Sequence, residues 1–116
     1  MNEQEQLIYL SNSFKEIRRE LFEEWKQKYP RPDVLEISSN KIIKLLKSVK
    51  IKNTDFEFWK FWTIDNLEDL LEDLEENLES DYKKKLVRYR PKWIVEKEII
   101  EKIIVDFNSK FVNKQF

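Results

Sequence analysis

The sequence predicts an all-α fold: a small bundle of about four helices with an irregular aromatic-rich segment near residues 51–63. Three observations predict it. The chain has no glycine and no alanine, so tight turns that need φ > 0 have only Asn or Asp to draw on, which disfavours hairpin-rich sheets. Apolar residues recur at steps of three and four over long stretches, the period of a helix buried on one side. The prolines fall between those stretches, where they stop a helix or start one. A winged-helix-like α+β arrangement, with 33–37 and 56–62 as short strands, is the alternative.

The first helix is expected from about Glu3 to Tyr29, on the stripe Leu7, Leu10, Phe14, Ile17, Leu21 and Trp25, with Phe22 beside it. Pro30 and Pro32 end it. Arg18 falls inside the stripe, either as a snorkelling stem at its edge or as a buried partner for a carboxylate. The second helix is expected from about Ser39 to Val49, with Ser38 or Ser39 as its N-cap. Ile42, Ile43, Leu45, Leu46 and Val49 make one face of it, and Lys41, Lys44, Lys47 and Lys50 the other.

Asn53-Thr54-Asp55 reads as a turn, and five aromatics in seven residues follow it from Phe56 to Trp62. Alternation there is imperfect, so strand and short helix both fit. Thr63 or Asp65 is expected to cap a third helix running to about Tyr82 on Leu67, Leu70, Leu71, Leu74 and Leu78, with a bend or stop near Lys83–Lys85. Pro91 suits the first turn of a fourth helix, whose buried face is Trp93, Ile99, Ile100, Ile103, Ile104, Phe107 and Phe111.

Composition narrows function by exclusion. Without glycine there is no phosphate-cradling loop. Without histidine or cysteine, the usual general base, thiol nucleophile and zinc ligands are missing. Lys, Ile, Asn and Phe are abundant, so AT-rich coding accounts in part for these absences. The chain is read as no enzyme, with no cofactor and no metal. At 14.4 kDa, with 41% apolar and 39% charged residues, it is read as one helical domain spanning 1–116, outside the membrane. The polar start of the chain reads unlike a signal peptide, and a cytoplasmic setting is the expectation.

What remains is charge and aromatic surface. Asp65 to Asp81 holds nine acids and no base. Five i,i+4 pairs in it repel, from Asp65/Asp69 to Glu75/Glu79, at a summed cost of about 1–2.5 kcal/mol before screening. Such a face is either simply solvated, paired internally with lysines, or a docking surface for a basic partner. The reading adopted is a non-catalytic interaction module (small subunit, adaptor or inhibitor) that binds a basic protein surface through Glu68, Glu72, Glu75, Glu76 and Glu79. The alternative is nucleic-acid binding through Lys41, Lys44, Lys47, Lys60, Lys83, Lys84, Lys85, Arg88 and Arg90, with aromatics stacking bases. Against it stands a sequence pI near 5.7. The near-heptad stripes of the first and fourth helices also leave room for a homodimer.

Overall fold

A computed structural model describes residues 2–26, 33–84 and 90–112, with the backbone alone at 76–84 and 90–93. It bears out the all-α class. Four α-helices, α1 (Glu3–Trp25), α2 (Asp33–Ser48), α3 (Thr54–Lys84) and α4 (Arg90–Phe107), are followed by a π-helical turn at Asn108–Val112. There is no strand among the described residues, so the segments 33–37 and 56–62 are helical and the winged-helix alternative is excluded.

Helix α1 starts where Asn2 accepts the Glu5 N–H on its side chain at 2.8 Å. Its stripe behaves as the spacing demands: Leu10, Phe14, Ile17 and Leu21 are buried, and Leu7 and Trp25 pack against them at the margin. Phe22 is exposed, with the Lys26 ammonium 4.5 Å above its ring. Arg18 is exposed too, so it is no buried partner. The stretch through Tyr29 to Pro32 lies outside the described residues.

Helix α2 begins six residues earlier than its serines imply, at Asp33 instead of Ser39. Ser38 and Ser39 are not caps. Both sit in the buried face with Leu35, Ile42, Ile43 and Leu46. In a chain without alanine or glycine, serine is the smallest residue there is, and it occupies the places where helices need room. Their hydroxyls find no hydrogen-bond partner, nor does that of buried Thr63. Packing explains the choice: α2 lies against α1, α3 and α4 alike.

The irregular connection is only 49–53. It is an extended strap in which Val49 and Ile51 point inward while Lys50 and Lys52 face solvent, the period-two alternation of extended chain. Lys50 therefore does not belong to the lysine face of α2. Helix α1 supplies the partners that a neighbouring strand would otherwise give. The Gln6 amide accepts the Lys50 N–H at 2.7 Å and donates to the Lys50 carbonyl at 3.2 Å. The Glu3 carboxylate accepts the Lys52 N–H at 2.7 Å.

Asn53 caps α3: its side chain accepts the Phe56 N–H at 3.0 Å and its carbonyl the Glu57 N–H at 3.0 Å. Neither Thr63 nor Asp65 is a cap, because the aromatic run continues into the leucine-rich stretch as one helix of 31 residues. At 1.5 Å per residue that helix measures about 46 Å, which sets the 48 Å long axis of the molecule. Helix α4 packs on α1 and α2 and carries Ile100, Ile103, Ile104 and Phe107 inward. Ile99, expected inside, is 40% exposed. Glu96 is buried on the inner face in its place.

Candidate docking surface on the third helix

The aromatic run divides by helical phase. Phe56 and Trp59 turn inward and join Phe107 and Phe111, with ring centroids 5.4–5.9 Å apart for the Phe56–Trp59, Phe56–Phe111, Trp59–Phe107 and Trp59–Phe111 pairs. Phe14 closes the cluster edge-on against Phe107 at 5.0 Å. Phe58, Phe61 and Trp62 turn outward, 77%, 65% and 55% exposed. Spacings of three, four, seven, eleven and fourteen place Asp65, Asp69 and Glu72 on the same outward face as Phe58. One ridge results, aromatic at its start and acidic beyond, running about 21 Å from Phe58 to Glu72.

Of the predicted acidic residues, Glu68 lies on the flank toward α2 and meets the Lys47 ammonium at 3.8 Å. Both groups are more than half exposed, so the pair contributes little. Glu72 and Glu75 are exposed and make no ion pair among the described residues. Glu76 and Glu79 lie on α3, their side chains outside the described set.

The alternative, basic set is scattered. Lys41 is held by Glu20 of α1 at 3.0 Å and Lys47 by Glu68, so two of its members face carboxylates already. Lys44 is exposed on α2. Lys60 is half-buried on the side of α3 away from the ridge. Lys83 and Lys84 end α3 and Arg90 begins α4, with backbone alone described; Lys85 and Arg88 lie outside the described residues.

Two grooves flank these faces. One, of about 670 Å³ between α1 and α2, is lined by Glu16, Glu20, Lys41 and Lys44, whose charges cancel. Glu16 there is held below the usual carboxylate range, chiefly by its hydrogen bond from Arg19. The other, of about 690 Å³, opens at the start of the ridge, between the first turns of α3 and the π-helical turn. Phe58, Trp59, Trp62 and Phe111 wall it, and Asp55, Asp106 and Lys110 are its charged groups.

No protein-family model, curated protein or solved structure matches this chain.

The π-helical turn builds this second groove. Phe111 lies four residues after Phe107 on this turn and sets its ring edgewise against Trp59, with centroids 5.6 Å apart. Asp106 and Lys110 have the i,i+4 spacing of a helical ion pair. No ion pair forms between them, and both line the groove. Among the described residues no three potential ligands gather to hold a metal ion, and no helix is long and apolar enough to cross a membrane.

Proposed function

We propose that this chain is a non-catalytic interaction module whose α3 ridge docks a basic protein segment. The observation that carries the reading is the continuity of exposed Phe58, Phe61 and Trp62 with the carboxylates of Asp65, Asp69 and Glu72, which make no ion pair among the described residues, on one helix face. Large exposed aromatics in a cluster mark contact surfaces. The acids beside them repel one another at a standing cost that a cationic partner would remove. The fitting partner is an amphipathic helix of about fourteen residues, the length that spans the ridge, with apolar anchors at one end and Lys or Arg at the other.

Calorimetric titration with a synthetic amphipathic Lys/Leu peptide tests this. Binding is expected to weaken as salt rises, and to fall at least about tenfold in the Asp69→Lys, Glu72→Lys double variant. Unchanged affinity in that variant overturns the reading. So does salt-sensitive binding of the protein to single-stranded nucleic acid that survives the same reversals. A light-scattering mass of twice 14.4 kDa that reverts in Phe61→Ser would assign the aromatic end to a second copy instead.

A further inference from the structure

The groove at the head of the ridge has a composition that the ridge reading does not itself require. Its walls are the rings of Phe58, Trp62 and Phe111, and its charges are Asp55, Asp106 and Lys110, a net of −1 from two carboxylates and one ammonium. Aromatic faces bind organic cations through the ring quadrupole when the charge sits within about 6 Å of the centroid. Carboxylates at the same site then supply hydrogen-bond acceptors. An anion would meet two like charges there. A purely apolar side chain would leave two carboxylates against it without an ion partner.

Trp59 supplies an independent sign. It lines the same groove while only 4% exposed, and its indole N–H has no acceptor. A buried indole N–H normally has one. That Nε1 is shielded from solvent, so an incoming carbonyl would reach it only where the groove wall opens. The π-helical turn is the third observation, because Phe111 on it walls the groove while Asp106 and Lys110, which both line the groove, make no ion pair with each other.

We propose that this groove seats one arginine side chain of the basic segment that docks on the α3 ridge. Arginine fits better than lysine because its planar guanidinium stacks on a ring while its N–H groups reach carboxylates at the edge. The assignment rests on the ridge reading and adds direction to it: one arginine lies among the partner's apolar anchors at the first turns of α3, and its remaining cations lie toward Glu72. Lys110 opposes the incoming charge, so its removal should tighten binding.

The test uses the whole chain and two synthetic amphipathic Lys/Leu peptides, identical except that one carries a terminal-turn arginine and the other citrulline, its neutral isostere. The arginine peptide is expected to bind about tenfold tighter. That preference should vanish in Asp106→Asn and in Trp62→Leu, and should grow in Lys110→Ala. Asp106→Asn keeps the shape of the side chain, so it serves even where Trp62→Leu perturbs folding. Equal binding of the two peptides overturns the groove assignment, as does a preference that persists in both groove variants. If Asp69→Lys, Glu72→Lys still weakens both peptides in that case, the ridge reading stands and the groove alone fails.

Discussion

Serine 39 shows how a restricted residue vocabulary is used inside a core. It is fully buried in α2, the helix that touches the other three, and its hydroxyl has no partner. A bound hydroxyl there would make Ser39→Ala costly. An orphaned one makes the substitution favourable, because it removes an unsatisfied group and gains helix propensity. Ser39→Ala is therefore expected to stabilise the protein by about 1 kcal/mol, read as a higher urea midpoint at unchanged slope. Ser39→Leu, by contrast, should cost about 1–3 kcal/mol through overpacking. The same logic separates the phenylalanines. Phe14, fully buried and edge-on to Phe107, should cost about 3–5 kcal/mol as Phe14→Ala, enough to consume much of a small protein's stability. Phe58→Ala, at a site 77% exposed, should change the same midpoint little. If both alanines were equally costly, the outward placement of Phe58 would be wrong.

Helix α3 carries its row of acids at a cost to its own stability. Glu72 repels Glu68 and Glu76 at i,i+4, and Glu72→Lys turns both repulsions into attractions. The expected gain is about 1–2 kcal/mol at low salt, shrinking as salt rises, visible as a melting temperature that converges on wild type in high salt. The variant that melts later should also bind the basic peptide less well. Much of this element was legible in the sequence: as far as Glu75, the leucine stripe and the acids opposite it are in the expected phase. Its beginning was not. Five aromatics in seven residues put apolar groups on both faces, so the 3.6-residue period is drowned between Phe56 and Trp62, and Asn53 looks like a turn residue when it is the cap. Serines 38 and 39 misled for the opposite reason, since a residue that caps helices elsewhere here does the work of alanine. The groove was legible only in part. It lies between the start of α3 and the π-helical turn that follows α4; Phe111 keeps the phase expected of it, but nothing in Asn108–Val112 announces the turn itself.

At the scale of the molecule, α2 packs on the other three helices, and the strap at 49–53 joins it to α3. That strap has no hydrogen-bonded secondary structure of its own, yet the amides of Lys50 and Lys52 are held by Gln6 and Glu3, which precede them by 44 and 49 residues. Loop amides ordinarily trade their protons with water quickly. These two should instead exchange slowly, and they should do so only while the first turn of α1 is seated. Hydrogen–deuterium exchange is expected to show them protected in the intact protein, and fast in Gln6→Ala and Glu3→Ala respectively, with the amides of α2 unchanged. Fast exchange of both in the wild type would mean that the clasp is open most of the time. Otherwise a connection that looks like the loosest part of the chain becomes its built-in reporter, a pair of amide clocks that start running when the first helix lets go.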